Sequence, residues 1–581
     1  MEKQALLGAS LAPRQEAQRQ RPTSSAALFI AVFTFWILLS WEFLISYGKS
    51  WPRRAEPQLR MYAGESIKWR LCGDVTGHDD LECGTVDVPM DQFNSTNSSN
   101  ETFTIPLVRM RGKHASQNLL IHTGGPGASG IGSVYSAGEK LSRLLGGRFH
   151  IVGFDARGLG ASTPSATCYV DAESQKRLRP RRTTDLIRDS PYLYAWSTNY
   201  VRACRENAGE HLQYVNTPQV AADMNSIIDA LGQESMFYWG MSYGSLLGQV
   251  YATLFPQRLE RMVIDGVPDQ FSWFEDLMDA QRYADTDAVV DGFFEECVRA
   301  GDACALSKYG KTGPKLRENV TSVINSLYRN PASAYVNGSV YGIVDDFAAR
   351  ITGLFHEMHT PKRWPALAPR LADLQEGNAT GMFLAYVNDE PFGNVPRANL
   401  VVEMNDGQSG PTFWPQARIR LMEKLLPYFD KYRFALGDML DLHVKQQWNV
   451  PRTHSYLPKQ RVETATPLLI LSTTHDPACP YSAAQAAQKV FVGSRLVALD
   501  AYGHASIAMP SLCVAQYMRA YFDNGSLPEE NVVCKSDGVY FPGTSEESIS
   551  SASASHTAEE LETLAAQRAI AGIYADIKYT K

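Results

Sequence analysis

Residues 236–254 hold a serine in a setting that suits nucleophilic chemistry. Ser242 stands at the centre of a Gly-x-Ser-x-Gly pattern that Gly240 and Gly244 complete. An apolar run, residues 236–239, predicts a strand before it, and residues 246–254 predict a helix after it. A sharp strand-to-helix turn crowds backbone against backbone, so only glycine fits on either side of the serine. The pattern alone is common, and the rest of the chain has to support a catalytic Ser242.

A carboxylate and an imidazole follow two later predicted strands. Asp476 comes just beyond the apolar run 466–472, and His504 comes just beyond the run 495–499. The chain order Ser, Asp, His is that of the α/β-hydrolase triad. His475 is an alternative histidine, but it adjoins the acid and is expected to point elsewhere.

A glycine-rich loop, residues 123–130, follows the predicted buried strand 119–122. Such a loop can hold a phosphate at a helix N-terminus. This one has neither the lysine of a P-loop nor the glycine spacing of a dinucleotide fingerprint. In a hydrolase, one of its N–H groups can instead point at an oxyanion that develops near Ser242.

Other polar residues receive structural interpretations. Asp155 and Arg157, which follow the predicted strand 149–154, are expected to hold their loop through hydrogen bonds. His356 and His359 have the i, i+3 spacing of a metal pair. No third ligand is evident beside them, and an ordinary helix surface is the favoured interpretation.

Length and charge narrow the class of protein. The chain has 581 residues, more than one hydrophobic core usually serves, so a core domain with a large insertion is expected. The formal net charge of −7 gives no indication of nucleic-acid binding. The short basic cluster at residues 176–182 contains a proline and is interpreted as a solvated loop.

The pattern of elements predicts an α/β fold with a mostly parallel, doubly wound sheet. Strand-like and helix-like runs alternate over residues 68–269 and again over 461–542. Between them, residues 270–460 show mostly helical patterns, and we call this segment the cap. A Ser-rich linker and a terminal helix, opened by a capping box at Thr557, are expected within residues 543–581.

The N-terminal region predicts a membrane anchor. Residues 1–25 read as a polar tail, and residues 26–47 are apolar except for Glu42 and long enough to span a bilayer. A cleaved signal peptide is the competing interpretation, but the tail is long and no clear small-residue cleavage site follows.

Features beyond this span indicate a lumenal or extracellular catalytic part. All nine cysteines follow it, and Cys72/Cys83 and Cys297/Cys304 are spaced for short closed loops, with Cys479 expected to be left over. Glycosylation sequons also follow it, at Asn94, Asn97, Asn100, Asn319, Asn337, Asn378 and Asn524.

Several motifs together resemble one family. The chain is similar to the fungal-type, membrane-anchored members of the tripeptidyl-aminopeptidase-like branch of the prolyl-aminopeptidase family of α/β-hydrolase serine peptidases. The resemblance spans residues 68–542 and is weak through the cap. Its motifs are the glycine-rich loop, residues 154–164, 238–245, 251–256 and 262–267, Asp476-Pro477, Gly503-His504 and the segment from Cys513 to Cys534.

The resemblance implies roles for named residues. Ser242 would be acylated, His504 would carry its proton, and Asp476 would orient the imidazole. Backbone N–H groups of Gly125 and Tyr243 would form the oxyanion hole, and no metal or organic cofactor is implied.

Relatives of this branch use acidic groups in the cap to bind the free amine of a peptide. Glu275, Asp276 and Asp279 are candidates here, although a solvated helix face explains them equally well.

Three functions are carried forward from the sequence. The first is a serine exopeptidase that takes short peptides from free N-termini. The second is a carboxylesterase, because the same triad cleaves small esters. The third is a non-catalytic surface protein on a hydrolase fold, against which the complete triad argues.

Overall fold

The computed structural model describes residues 62–73, 81–98, 100–180, 182–279, 281–388, 398–543 and 556–577. The predicted tail and membrane span lie outside these residues. Within the described ranges, no helix combines the length and the apolar character that crossing a bilayer requires.

A ten-stranded sheet organises the chain. Its order is β1-β2-β3-β5-β4-β6-β7-β10-β11-β12, antiparallel from β1 to β5 and parallel from β5 to β12. The predicted α/β fold with a mostly parallel sheet is confirmed. The strands are β1 Arg70–Leu71, β2 Leu81–Pro89, β3 Thr102–Met110, β4 Gln117–His122, β5 Phe149–Phe154, β6 Met236–Met241, β7 Leu259–Asp265, β8 Ala332–Asn337, β9 Val340–Val344, β10 Leu469–His475, β11 Arg495–Tyr502 and β12 Val532–Lys535.

Helices cover both faces of the sheet and make up most of the cap. Apolar clusters lie on each side of the sheet, and one of them continues into the cap. The α-helices are α1 Ser95–Ser98, α2 Gly130–Leu144, α3 Ala172–Leu178, α4 Leu186–Ala208, α5 Thr217–Ala230, α6 Tyr243–Leu254, α7 Gln270–Glu275, α8 Thr286–Ala300, α9 Gly313–Ser326, α10 Trp364–Gln375, α11 Thr380–Phe383, α12 Ala398–Asp406, α13 Arg418–Lys431, α14 Met439–Gln447, α15 Tyr481–Val490, α16 Leu512–Asn524 and α17 Ala558–Ile577.

The cap is inserted between two strands that are neighbours in the sheet. β7 pairs in parallel with β10, although the cap separates them in the chain. The cap is mostly helical, as expected, but it also contains an antiparallel hairpin formed by β8 and β9. This hairpin was not predicted, because its alternation is short and carries exposed aromatic residues such as Tyr335 and Tyr341 on the outside.

The terminal helix α17 packs on the sheet domain. Ala566 and Ile570 are buried in the apolar cluster that also contains residues of α2. At its start, Thr557 N–H donates to Glu560 Oε2 at 2.7 Å, and Glu560 N–H donates to Thr557 Oγ1 at 3.3 Å. The predicted capping box is therefore present.

Four disulfides staple the described chain. They are Cys72–Cys83, Cys168–Cys204, Cys297–Cys304 and Cys513–Cys534, and Cys479 lies outside them. Both short loops expected from the spacing are confirmed. Disulfides persist in oxidising compartments, so this domain is of an extracellular or secreted type.

One buried ion pair locks helix α5 to the loop after β5. The guanidinium of Arg157 donates to both carboxylate oxygens of Asp223, at 2.5 and 2.7 Å, and also to the carbonyls of Pro89 and Met90. Both side chains are almost fully buried. These contacts agree with the structural interpretation of Arg157, because its partners are the Asp223 carboxylate and backbone carbonyls.

We expect Asp223→Asn to lower the free energy of unfolding by about 3–5 kcal/mol, because it leaves the buried guanidinium without a counter-charge. Urea unfolding followed by tryptophan fluorescence measures this. The matched control on the same helix is Asp229→Asn, which breaks a largely exposed pair with Arg258 and should cost below about 1 kcal/mol. Equal losses in the two variants would contradict the assignment.

The last residue of β4, His122, gives stability a pH dependence. Complete burial lowers the pKa of His122 to about 4. Between pH 6.5 and 4 the unfolded chain therefore takes up a proton here that the folded chain does not, so stability falls as the pH falls through this window. At pH 5 the protonation of His122 in the unfolded chain lowers the free energy of unfolding by about 2 kcal/mol.

Between pH 7 and pH 5, we expect the His122→Asn variant to lose about 2 kcal/mol less unfolding free energy than the parent protein. The asparagine carbonyl oxygen can take the place of Nδ1, which accepts the Gly124 N–H at 3.2 Å. Urea unfolding at four pH values gives both slopes, and parallel slopes for the variant and the parent would refute the prediction.

Candidate active site

The nucleophile turn has the geometry that its glycines predict. Ser242 joins β6 to α6 with φ +56°, a left-handed conformation that is rare outside glycine. A Cβ at Gly244 would lie 2.1 Å from the carbonyl oxygen of His122, and one at Gly240 would lie 2.2 Å from that of Gly244. Backbone therefore touches backbone on both sides of Ser242, and a larger residue would push the turn apart.

The side chains of His504 and Asp476, the two residues predicted from the sequence, are in contact. Nδ1 of His504 lies 2.8 and 2.9 Å from the two oxygens of Asp476. The carboxylate also accepts backbone N–H groups from Ala478, Cys479 and Ala505 at 2.8–2.9 Å. Asp476 is fully buried, and this set of donors fixes both the carboxylate and the imidazole plane.

The sheet brings these groups to one edge. Ser242 follows β6, Asp476 follows β10 and His504 follows β11, and the strand order runs β6-β7-β10-β11. Carboxyl ends of parallel strands share an edge of the sheet, which is where open α/β folds bind ligands.

The glycine-rich loop lies directly on the nucleophile turn. A Cβ at Gly124 would be 2.8 Å from Ser242 Cβ and 2.9 Å from the backbone nitrogen of Tyr243. Asp155 holds this loop through hydrogen bonds. Its carboxylate accepts one from the Ser129 hydroxyl at 2.6 Å and one from the Ala161 N–H at 2.9 Å. The expectation that Gly125 and Tyr243 supply oxyanion donors stays a prediction.

A polar network links the nucleophile turn to the cap. The Thr217 hydroxyl donates to Asp406 at 2.6 Å, so the Tyr243 hydroxyl must donate to Thr217, 2.7 Å away. The indole of Trp273 donates to the same carboxylate at 2.9 Å. Burial raises the pKa of Asp406 to about 6. None of this was visible in the sequence, because Asp406 lies far along the chain from Thr217.

Next to this network lies a small open cleft. Its wall is rich in carboxylates and includes Asp279, one of the three acids singled out from the sequence. The other two, Glu275 and Asp276, are not among the lining residues, and Asp276 accepts the Ser272 hydroxyl. The lining residues are Trp273, Met278, Asp279, Arg282, Glu403, Met404, Tyr428, Asp441, Leu442 and Lys445.

The remaining histidine candidates also have defined positions. The carbonyl of His359 accepts the N–H of His504 at 2.9 Å, and the two rings lie 5.7 Å apart. The expected helix-surface position is therefore wrong for His359, which sits against the candidate site. His475 packs on Tyr502 at 5.1 Å and is not the histidine that Asp476 binds.

One group in the described part of the chain has the ligand types of a metal site. Donor atoms of Asp476, Cys479 and His504 lie within 4.8 Å of one another. The carboxylate oxygens already accept four N–H donors, so the structure explains this group without a metal.

Proteins of known name resemble this chain along most of its length. Serine protease Hip1 of Mycobacterium tuberculosis is 26% identical over 83% of this chain and 92% of that protein. The tripeptidyl aminopeptidase of Streptomyces lividans is 26% identical over 84% and 90%. Carboxylesterase B of Mycobacterium tuberculosis is 26% identical over 89% and 99%.

The family match agrees with the fold and with the arrangement at the edge of the sheet. Residues 117–508 match the family described as alpha/beta hydrolase fold, which is more than half of the chain and contains Ser242, Asp476 and His504. The chain belongs to the alpha/beta hydrolase family.

Proposed function

We propose that this protein is a serine exopeptidase that removes short peptides from free N-termini. The observation that carries the proposal is the carboxylate-rich cleft beside the nucleophile turn. Asp279, Glu403 and Asp441 bring three acidic groups to its wall against the two basic groups of Arg282 and Lys445. This excess of one negative charge favours a cation such as a protonated peptide amine, whereas a simple ester has no cation to offer.

In the proposed reaction, Ser242 Oγ attacks the scissile carbonyl and its proton passes to Nε2 of His504. Asp476 keeps Nδ1 protonated and stabilises the imidazolium that forms. The N–H groups of Gly125 and Tyr243 face the oxyanion. The imidazolium then gives its proton to the leaving amine, the acyl group stays on Ser242, and water activated by His504 releases the peptide acid.

The cleft would set which bond reaches Ser242. Trp273 belongs both to the cleft wall and to the network that ends at Tyr243, the residue next to the nucleophile. An amine bound at the acidic wall therefore lies a fixed distance from the nucleophile, and a substrate is cut a set number of residues from its N-terminus. A blocked peptide offers no ammonium to these carboxylates and would therefore bind more weakly.

A carboxylesterase is the second candidate, and the relative of that name favours it. The triad does not distinguish the two reactions, because it can cleave an amide and also cleaves an ester, which is the easier acyl donor of the two.

We further propose that the catalytic part is lumenal or extracellular and held to the membrane by residues 26–47. The four disulfides support the compartment, and the sequons at exposed positions such as Asn337 and Asn378 agree with it.

We expect the purified protein to hydrolyse fluorogenic mono-, di- or tripeptide amides with free amines, and Ser242→Ala to reduce turnover to background. The same peptides with blocked amines should resist cleavage. The length that is cleaved fastest gives the size of the released peptide. Turnover of short acyl esters alone would establish the esterase, and the absence of Ser242-dependent turnover from acid to neutral pH would favour a non-catalytic protein.

We expect Asp279→Asn and Glu403→Gln to raise KM for free-amine peptides by about tenfold or more, since each removes a charged partner of the ammonium. Hydrolysis of a small ester, which has no amine, should keep its kcat/KM. Asp302→Asn is the matched control, because it neutralises an exposed acid elsewhere in the cap. Equal effects on the peptide and on the ester would mean that the cleft does not bind the amine.

A further inference from the structure

Asp265, the last residue of β7, contacts both halves of the candidate site. Its carbonyl accepts the N–H of Ser242 at 2.9 Å. Its carboxylate accepts the N–H and the hydroxyl of Ser506, two residues beyond His504, each at 2.7 Å. The side chain is fully buried. A single residue is thus bonded to the segment that carries Ser242 and to the segment that carries His504.

Both of these segments hold a strained residue. Ser242 has φ +56° and Ala505 has φ +64°, positive values that are unusual for residues with a side chain. Each such conformation is strained and persists only where the surroundings enforce it. One strained residue is the nucleophile Ser242 itself, and the other, Ala505, directly follows His504. A small relaxation of either turn would therefore change the distance between Ser242 and His504.

Asp265 and Asp476 hold the histidine loop from two sides. Asp476 binds the His504 ring and the Ala505 N–H, and Asp265 binds the next residue, Ser506. The backbones also approach closely here, because a Cβ at Gly266 would lie 3.1 Å from the Cα of Ala505. The end of β7 and the histidine loop are therefore in direct contact.

We propose that Asp265 is a positioning residue that sets the register between Ser242 and His504 and supplies a second negative charge behind the imidazole. This inference rests on the proposed function, in which those two residues exchange a proton. Asp265 touches neither substrate nor the reacting atoms, and it acts through the loop that carries His504.

The surrounding charges define what Asp265 adds. Facing His504 are the carboxylates of Asp476 and Asp265, the ring of His359 and the sulfur of Cys479. Burial raises the pKa of Asp265 to about 6, while the Ser506 donors and the charge of His504 oppose that rise. Both carboxylate oxygens of Asp265 accept a hydrogen bond from Ser506, the arrangement that an ionised carboxylate makes. Its charge also favours the imidazolium that forms when Ser242 attacks.

Two substitutions separate charge from geometry. Asp265→Asn is isosteric: its carbonyl can still accept the Ser506 N–H, and its amide can donate to the Ser506 hydroxyl, so only the charge is lost. Ser506→Ala removes one bond and keeps the charge. We expect Asp265→Asn to lower kcat about tenfold and Ser506→Ala a few-fold, with KM within about twofold in both, because substrate contacts are untouched.

The pH profile of the full-length enzyme gives a readout that a structural role would not move. Loss of a negative charge near His504 disfavours the imidazolium, so the acid limb of kcat/KM should shift to lower pH in Asp265→Asn. Asp223→Asn is the stability control: it is expected to lower the urea midpoint and to leave kcat and the acid limb unchanged.

The outcomes are distinct. A parent enzyme without Ser242-dependent turnover overturns the proposed function and this inference with it. An active parent whose Asp265→Asn variant keeps kcat and the acid limb overturns the positioning role alone. A variant that behaves like Asp223→Asn, losing only stability, also overturns it.

Discussion

The contact of three backbone segments around Ser242 is the constraint on which the structure depends. The end of β4, the start of α6 and the end of β6 approach so closely that Gly240 and Gly244 have no room for a Cβ. This contact forces Ser242 into a left-handed conformation, and its N–H is then satisfied by the carbonyl of Asp265 on the next strand. The contacts with the neighbouring strands therefore hold Ser242 in this strained conformation.

The insertion point of the cap explains how the remaining groups reach the same place. The cap leaves after β7 and returns before β10, two strands that pair in register. The outgoing connection thus lies at the carboxyl end of β7, near the edge where Ser242, Asp476 and His504 meet, and the chain returns at the amino end of β10, at the opposite edge of the sheet. His359 and Trp273 come from the cap, and each contacts a residue of the site or its network. Because β7 and β10 pair directly, the insertion of the cap leaves the parallel sheet unbroken.

Sequence patterns predicted the features that depend on local geometry. The nucleophile turn, the acid and histidine after strands, the short disulfide loops and the capping box at Thr557 each need only a few neighbouring residues, and a strand end fixes where an adjacent side chain goes. The positions of Asp265, Asp406 and His359 could not be predicted, because their roles arise from contacts between residues more than a hundred positions apart. An aspartate at the end of an apolar strand looks the same whether it binds a loop or solvent.

The distribution of charge indicates where substrate choice resides in this fold. The elements around Ser242 and His504 are built from backbone contacts and buried carboxylates, and they would treat an amide and an ester alike. Selectivity must then come from groups that meet the substrate away from the scissile bond. Under the proposed function, the cleft next to Trp273 supplies such groups. The path Trp273–Asp406–Thr217–Tyr243 connects this cleft to the nucleophile turn through hydrogen bonds of 2.6–2.9 Å. The two bonds of Thr217 are buried and that of Trp273 is partly buried, so the fold sets the distance from cleft to nucleophile. In the proposed function, a change in the cap can then alter the substrate without altering the chemistry.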